Sequence, residues 1–193
     1  MMLEMLNPEY RFSSLMKITP EWMYRHNFKV LLMDIDNTLL PRNNCVVPEN
    51  HLIWLRKMQK QGIAIVMASN NGGKRAAAIE KQIKEYGLRI PVFKWAGKPF
   101  SRAYTGSIRL LEETRAADGA EMEKCASDRI LAAGDQLFTD VLGAHWYNLP
   151  VALLRPLSSY DFIGTKVLRM FERCVIWYLK KQRIFPEEDC LNI

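Results

Sequence analysis

The sequence predicts an α/β protein of the Rossmann-like kind, a three-layer sandwich with helices on both faces of a parallel sheet of about five strands. Short apolar runs alternate along the chain with segments in which apolar residues recur at helical spacing, the pattern of βαβ units. With 193 residues, of which 49% are hydrophobic, the chain can form one domain with a proper core. No run reaches the roughly eighteen apolar residues of a transmembrane helix.

The composition restricts the compartment and the partners. A net charge of +6, from 27 Lys and Arg against 21 Asp and Glu, makes the surface tolerant of phosphates, nucleic acid or acidic lipid. The start of the chain has no unbroken apolar stretch typical of a signal peptide. Four widely spaced cysteines without a CxxC pair indicate neither a zinc site nor a disulfide framework. We therefore expect reduced thiols in a cytoplasmic protein. The cysteines are Cys45, Cys125, Cys174 and Cys190.

The predicted elements follow in order after a lead-in over residues 1–28. Thr19 and Pro20 have the types expected at a helix N-cap and first position, so we expect the lead-in to pack one short helix on the core. Beyond it, short apolar runs predict strands, and apolar residues at helical spacing, ended by Gly62 and Gly87, predict helices. The predicted strands span 30–33, 63–68, 91–95, 129–133 and 150–154, the helices 48–58, 74–86, 99–114 and 137–147, and a charged loop 116–128.

Two carboxylates, Asp34 and Asp36, come directly after the first predicted strand. They therefore lie at its carboxyl end, the edge of an open parallel sheet where ligands bind. Asp34 is the better nucleophile because the strand holds it more rigidly, and it would form an aspartyl-phosphate. Asp36 can reach the leaving oxygen as general acid and later activate water as base. The alternative role for such a pair is a helix N-cap or a turn.

Polar residues also follow the next predicted strands, at the same edge of the sheet. Ser69 and Asn70 come after the second strand, Lys98 after the third, and Asp135 and Asp140 after the fourth. Carboxylates from two loops form an oxygen-rich site suited to Mg²⁺. A hydroxyl, backbone amides and a lysine can bind phosphoryl oxygens. This inventory indicates phosphoryl transfer.

The four segments resemble the four motifs of the haloacid dehalogenase (HAD) superfamily of phosphatases, over roughly residues 28–155. Residues 34–38 resemble the first motif, Ser69 the second, Lys98 the third, and Asp135 with Asp140 the fourth. The resemblance implies a nucleophile and an acid/base at the first motif. The implied site consists of catalytic Asp34, Asp36 and Lys98, phosphate-binding Ser69, Asn70 and Lys98, metal-binding Asp34, Asp36, Asp135 and Asp140, and in addition Thr38.

The residues within the motifs are similar to those of subclass IIIA of that superfamily, which includes YqeG-type bacterial proteins and phosphatidylglycerophosphate phosphatases. The resemblance rests on residues 36–39, 69–71, 98–99 and 134–141, and on the lead-in residues 6–8. It implies Mg²⁺ as cofactor and phosphatidylglycerophosphate as the favoured substrate. One departure is that His145-Trp146 stands where the group usually has an Asn-Arg pair.

The spacing of the motifs leaves no room for a cap domain. The stretch between the first and second motifs, and that between the second and third, are each filled by one helix and one strand. Enclosure excludes water from small substrates. An open site therefore favours a bulky substrate, or one presented by a surface such as a bilayer.

The residues after the last strand form a different kind of segment. We predict a catalytic domain over residues 1–155 and a basic amphipathic helical extension over 156–193. Within 161–185, apolar residues recur at helical spacing, and basic residues lie largely on the other side. This is the pattern of an interfacial helix on anionic lipid or of a terminal helix packed on the sheet or a second subunit. The apolar residues are Ile163, Val167, Met170, Phe171, Cys174, Trp177 and Tyr178.

Three functions remain open at this stage. The leading hypothesis is a Mg²⁺-dependent phosphomonoesterase that acts on a lipid phosphate, with peripheral membrane contact through 161–185 on the cytoplasmic face. The alternatives are a phosphatase of a soluble sugar or nucleotide phosphate, and a non-catalytic module that binds protein or RNA. We expect no nucleic acid partner for the leading hypothesis and leave the oligomeric state open. His26, His51 and His145 are isolated, and we expect packing roles for them.

Overall fold

The computed structural model of the chain describes residues 3–117, 119, 126–158 and 163–189. Within them, six parallel strands form one sheet in the order β1-β6-β5-β2-β3-β4, so the predicted α/β architecture is confirmed. The strands are β1 Tyr10–Phe12, β2 Val30–Asp34, β3 Ala64–Ser69, β4 Val92–Lys94, β5 Ile130–Gly134 and β6 Val151–Leu154. The helices are α1 Pro20–Arg25, α2 Glu49–Lys60, α3 Lys74–Glu85, α4 Ser101–Ala117, α5 Leu142–Trp146 and α6 Ile163–Lys181.

The sheet has one strand more than the five expected. The additional strand β1 lies in the lead-in and pairs in parallel with β6, Tyr10 opposite Ala152 and Phe12 opposite Leu154. Three residues of mixed polarity carry too little pattern to be recognised as a strand, and only pairing at the sheet edge defines them. The predicted lead-in helix is present as α1, where the Thr19 hydroxyl accepts a hydrogen bond from the Trp22 amide at 3.2 Å.

The strands are buried on both faces because helices cover both sides of the sheet. Leu31 and Met33 of β2 pack into one core with α1, α2 and α3, and Val30 and Leu32 pack into the other with α4, α5 and part of α6. Adjacent residues of a strand point to opposite faces. A strand such as β2, which is covered by helices on both faces, therefore requires a continuous apolar run.

The order of the strands brings the predicted site to one edge. The chain passes from central β2 outward through β3 and β4, and then crosses back to β5 on the other side of β2. The carboxyl ends of β2, β3 and β5 are thus neighbours at a topological switch point, where ligands bind in open α/β sheets. Asp34 is the last residue of β2, Ser69 is the last of β3, and Asp135 follows β5.

Two predicted boundaries differ from the structure. The helix predicted over 137–147 consists of a π-helical turn, Leu137–Val141, followed by α5. Helix α4 begins at Ser101 and continues to Ala117, and most of the loop predicted over 116–128 lies outside the described residues. Of the four cysteines, the described ones are Cys45 and Cys174, both exposed free thiols.

Helix α6 packs on the domain with a side that the sequence pattern did not single out. Glu172 and Leu179 are buried, and Val175 and Ile176 pack against the core that contains α4. The apolar stripe predicted for this segment faces outward instead, with Val167, Met170, Phe171, Trp177 and Tyr178 all exposed. The side chains of Ile163 and Lys166, and residues 161–162, lie outside the described part of the chain. None of the described helices is both long and apolar enough to cross a bilayer.

Candidate active site

The centre of the candidate site is the carboxylate of Asp34, which is almost completely buried. The ammonium group of Lys98 donates to Asp34 Oδ1 at 2.5 Å and to Asp140 Oδ1 at 2.6 Å. Three side chains from loops 34–38, 95–100 and 135–140 therefore meet at one point. The structure brings together the predicted nucleophile, the predicted lysine and one acid of the fourth motif.

An acidic cluster suited to a metal ion lies at the same place. Asp34, Asp135 and Asp140 each have one carboxylate oxygen in this cluster, and the three oxygens lie within 4.8 Å of one another. Asp135 Oδ1 is buried and has no hydrogen-bond partner, which is costly for a carboxylate oxygen unless something else binds it. Hard oxygen ligands at this spacing fit a cation such as Mg²⁺.

Burial, and repulsion between neighbouring carboxylates, raise the pKa values of the acidic groups in this site. Loss of hydration, reinforced by the neighbouring carboxylates and opposed by Lys98, raises the pKa of Asp34 to about 8. The pKa of Asp135 is raised to about 6 by burial and by Asp140, against the opposing effect of Arg169. Burial disfavours the charged form of Lys98, but the carboxylates of Asp140 and Asp34 outweigh it and raise its pKa. Lys98 is therefore a permanent cation in the site.

The second predicted carboxylate, Asp36, has a separate set of partners. Arg75 donates to Asp36 Oδ1 at 2.5 Å, and Asn71 and Ser69 donate to Oδ2 at 2.8 and 3.3 Å. The Asp36 carboxylate is not part of the acidic cluster. These contacts do not support its predicted role as a metal ligand through that carboxylate, because they hold it outside the cluster formed by Asp34, Asp135 and Asp140.

The other predicted residues of the second and third motifs support this arrangement in different ways. The Asn70 amide group donates to the Lys98 carbonyl at 3.1 Å and accepts from the Lys98 amide at 2.7 Å. Asn70 thus lines the pocket but uses both ends of its amide to position Lys98. Ser69 accepts from the Asn71 amide at 3.0 Å. Thr38 is buried, and its Oγ1 has no hydrogen-bond partner.

The fourth motif is shaped by a glycine and a π-helical turn. A Cβ at Gly134 would lie 2.2 Å from Cγ of Asp140, so only glycine allows Asp140 to fold back against the end of β5. Asp140 Oδ2 accepts from the Gln136 amide at 3.1 Å. π-helical turns are frequent at functional sites. Here the turn places the carboxylate of Asp140 beside Lys98.

Two residues of α6 that the sequence did not suggest complete the site. The guanidinium of Arg169 pairs with Asp135 Oδ2 and donates to the Asp135 carbonyl at 3.2 Å. Glu172 accepts from the amides of Leu137 and Phe138 at 2.7 and 3.3 Å, and burial raises its pKa to about 7. Only the basic amphipathic pattern marked this helix, so no local signal could have assigned either residue to the site.

The site opens into a pocket of about 380 Å³. The first two turns of α6 form part of its wall, and Arg42 Nη1 donates to Thr165 Oγ1 at 3.4 Å across it. The site therefore has a helix at its rim although it has no cap domain. The lining residues are Asp34, Asp36, Arg42, Asn70, Asn71, Lys98, Gln136, Thr139, Asp140, Gly164, Thr165 and Leu168.

The unusual pair His145-Trp146 lies away from this pocket. His145 Nδ1 lies 2.8 Å from the Met5 carbonyl, and its Nε2 lies 3.1 Å from both carboxylate oxygens of Glu9. Burial opposes protonation, but these partners raise the pKa of His145 overall. Trp146 is half exposed. His145 thus ties α5 to the lead-in, in keeping with the packing role expected for it.

Comparison with known proteins supports this reading of the motifs. Residues 3–156 match the family described as mitochondrial PGP phosphatase. The chain is 29% identical to the probable phosphatase YqeG of Bacillus subtilis (strain 168) over 175 residues, which cover 91% of this chain and 92% of that protein.

Solved structures of lower similarity were also found. A haloacid dehalogenase-like hydrolase from Brucella suis 1330 is 12% identical with a TM-score of 0.46, covering 75% of this chain and 93% of that one. The cobalt-bound deoxy-D-mannose-octulosonate 8-phosphate phosphatase (YrbI) from Haemophilus influenzae is 11% identical with a TM-score of 0.43, covering 84% and 95%.

The family match covers most of the chain and includes all four motifs. The predicted likeness to YqeG-type and phosphatidylglycerophosphate phosphatases, which are phosphoric monoester hydrolases, is confirmed. The chain belongs to the mitochondrial PGP phosphatase family.

Proposed function

We propose that this phosphatase hydrolyses its phosphomonoester through an aspartyl-phosphate on Asp34, with Mg²⁺ as cofactor. The observation that carries the proposal is the buried Asp34 carboxylate at the end of β2, in contact with Lys98 and close to Asp135 and Asp140. A nucleophile held at a strand end, with a fixed cation beside it, is suited to attack on phosphorus.

The chemistry proposed for the chain's own residues has two steps. In the first, an oxygen of Asp34 forms a bond to phosphorus, the ester bond to the leaving oxygen breaks, and Asp36 gives that oxygen a proton. In the second, Asp36 takes a proton from water, which attacks phosphorus and releases phosphate from Asp34. Arg75 and Asn71 hold the Asp36 carboxylate in place for both transfers.

The metal ion would be held by Asp34, Asp135 and Asp140. It supplies positive charge that offsets the repulsion between an anionic phosphate and these carboxylates. Lys98 provides a second cation, which belongs to the protein itself. The Ser69 hydroxyl donates to Asp36 in the structure, and in this proposal it turns to donate to a phosphoryl oxygen when substrate binds.

Metal binding is expected to strengthen as the pH rises. Mg²⁺ requires ionised carboxylates, and the raised pKa values of Asp34 (about 8) and Asp135 (about 6) mean that protons must leave on binding. Between pH 6 and 8 the affinity should increase about tenfold per pH unit, and then level off above pH 8. Calorimetry in two buffers of different ionisation enthalpy measures the protons released. An affinity that does not change over this range would contradict the proposed ligand set.

We further propose phosphatidylglycerophosphate as the substrate, presented at the cytoplasmic face of a membrane. The family description supports this choice. So does α6, since Met170, Phe171 and Trp177 on its outer face are 58%, 53% and 64% exposed. Aromatic and aliphatic side chains flanked by Arg and Lys are typical of helices that lie in the interface of anionic lipid. In this proposal, residues 1–155 carry the catalysis and 156–193 the membrane contact.

Replacing Phe171 by glutamate is expected to weaken binding to vesicles that contain phosphatidylglycerol by roughly 10- to 100-fold, because an aromatic side chain that would insert into the bilayer is lost and a charge of the same sign as the lipid is added. Co-sedimentation measures this. Ile53→Glu is the matched control, because Ile53 is equally exposed on α2, in the layer on the other side of the sheet. Equal loss in both variants, or in neither, would argue against contact through α6.

A substrate assay tests the function as a whole. We expect Mg²⁺-dependent release of phosphate from an aryl phosphate, and a kcat/KM at least about tenfold higher for phosphatidylglycerophosphate in detergent micelles than for soluble sugar phosphates. Faster hydrolysis of a soluble phosphate would favour the soluble-substrate alternative. No hydrolysis of any phosphomonoester would favour the non-catalytic module.

A further inference from the structure

A second pocket, of about 340 Å³, lies between α6 and the β1–β6 edge of the sheet. It adjoins the candidate active site, because Asp135, Arg169 and Glu172 line its inner end, but it shares no lining residue with the catalytic pocket. Gly164, Thr165 and Leu168 face the catalytic pocket, whereas Arg173 and Lys180 face the second one. Apart from Asp135, Arg169 and Glu172 at its inner end, no residue of this pocket has a role in the proposed reaction.

The sheet contributes two arginines to one side of this pocket. Arg11 of β1 is paired in register with Leu153 of β6, so their side chains point to the same face. Arg155 lies two residues beyond Leu153 and therefore points to that face as well. All three line the pocket.

Helix α6 contributes cations to the other side. Arg169, Arg173, Ile176 and Lys180 all line the pocket, and their spacings of four, three and four place them on one helical stripe. Arg169 is engaged with Asp135 at the inner end. Arg173 and Lys180 are exposed along the same stripe.

The positive charge of this pocket is not balanced by its acids. Three acids line it: Asp135 is paired with Arg169, Glu188 with Lys17 at 3.0 Å, and Glu172 accepts two backbone amides and lies 3.6 Å from Arg169. Among the residues that the structure describes, the cations at Arg11, Arg155, Arg173 and Lys180 form no ion pair. Like charges around a concave, partly apolar surface concentrate the potential and favour an anion.

The pocket also has an apolar wall. The ring of Phe185 lies 5.7 Å from Cζ of Arg11 and 5.8 Å from Nζ of Lys180, which keeps both cations at the wall. Leu153 and Ile176 extend this wall. A ligand that fits would carry an anionic group and an adjoining apolar portion. Arginine forks suit the oxygens of a phosphate group particularly well.

We infer that this pocket is a second anion site, which binds a phosphate diester with an apolar substituent, the chemistry of an anionic phospholipid headgroup. Its position beside the outward apolar face of α6 suits a lipid whose acyl chains remain in the bilayer. The inference does not depend on the substrate proposed for the catalytic pocket.

Calorimetry with dihexanoyl phosphatidylglycerol below its micellar concentration tests the site in the full chain. This probe has no phosphomonoester and so is not hydrolysed; because it is the product of the proposed reaction, the Arg155 and Arg173 variant decides whether it binds in this pocket or in the catalytic one. We expect saturable binding, and a loss of roughly 10- to 100-fold in affinity for Arg155→Gln/Arg173→Gln, which removes two charge-assisted contacts. Glycerophosphoglycerol, which lacks acyl chains, should bind more weakly if the ligand is a lipid and equally well if it is a free phosphodiester. Weaker binding of glycerophosphoglycerol supports the inference, and equal binding would overturn the part of it that assigns an apolar substituent to the ligand.

The matched control is Lys81→Gln/Arg109→Gln, which removes the same charge from exposed residues of α3 and α4 that pair with acids on their own helices. It should bind the probe as the unaltered chain does. Thermal unfolding checks that both double variants fold. Absence of saturable binding, or an equal loss in the two double variants, would overturn the inference.

Discussion

Replacing Asp34 by asparagine is expected to lower turnover of any phosphomonoester by roughly 10³- to 10⁶-fold, the range seen when an essential nucleophile is removed. The amide has nearly the same shape as the carboxylate but cannot attack phosphorus. Its effect on folding should be small or favourable. Burial raises the pKa of Asp34 to about 8, so the ionised carboxylate costs stability at high pH, and Lys98 keeps Asp140 as a partner.

The measurement is kcat with an aryl phosphate at saturating Mg²⁺, together with the midpoint of thermal unfolding. Asp128→Asn is the matched control, because Asp128 is exposed in a turn before β5 and should retain full activity. An Asp34→Asn variant that keeps more than about a tenth of the activity would remove Asp34 from the role of nucleophile.

Replacing Arg169 by glutamine is expected to weaken Mg²⁺ binding by roughly 10- to 100-fold, the usual effect of losing a partner of a metal-ligating carboxylate. Arg169 holds Asp135 Oδ2 and the Asp135 carbonyl, so that Oδ1 is left without a partner in the structure. Without Arg169 the carboxylate can rotate, and its pKa rises further, because Arg169 opposes the effect of burial on Asp135. In the proposed metal site, Arg169 would therefore be a positioning residue that acts through Asp135.

Calorimetric titration with Mg²⁺ measures this effect independently of activity. The Mg²⁺ affinity of Arg169→Lys should lie between those of the unaltered chain and Arg169→Gln. Lysine keeps the positive charge but lacks the guanidinium fork that contacts two oxygens of Asp135. Arg173→Gln makes the same change of charge one turn further along α6, where no contact with Asp135 exists, and should bind Mg²⁺ within about twofold of the unaltered chain. If Arg169→Gln bound Mg²⁺ more tightly, Arg169 would be a competitor of the metal rather than a support for its ligand.

The positions of the site residues could be predicted because they depend on local rules. A polar residue directly after a buried strand lies at the sheet edge whatever the rest of the fold does. Asp34, Ser69 and Asp135 are all of this kind. Lys98 lies further from its strand; its position after the third predicted strand suggested it, and its resemblance to the third HAD motif supported it.

The partners of these residues could not be predicted in the same way. Arg75 lies 39 positions from Asp36, and Arg169 lies 34 from Asp135. Both contacts depend on how a helix docks, and docking is decided by packing over the whole domain. The exclusion of Asp36 from the acidic cluster has the same origin, because Arg75 and Asn71 hold its carboxylate elsewhere.

Helix α6 shows most clearly the difference between what the local sequence predicts and what depends on tertiary packing. Its helical period and its charge were evident from residues 161–185, because period and composition are properties of the local chain. Which side it buries was not evident, because the helix carries apolar residues on two sides. The side with Leu179 packs on the core and the side with Phe171 and Trp177 faces outward.

By itself the sequence determined the α/β class, the alternating elements, the carboxylates and lysine at the strand ends, and the family. These follow from periodicity, strand boundaries and short motifs, which act over a few residues. Only the tertiary structure decided that β1 is a sixth strand, that α6 supplies Arg169 to Asp135, and that a second cationic pocket lies beside it. Each of these depends on contacts between distant parts of the chain, whose free energy is set by burial and pairing in the folded state.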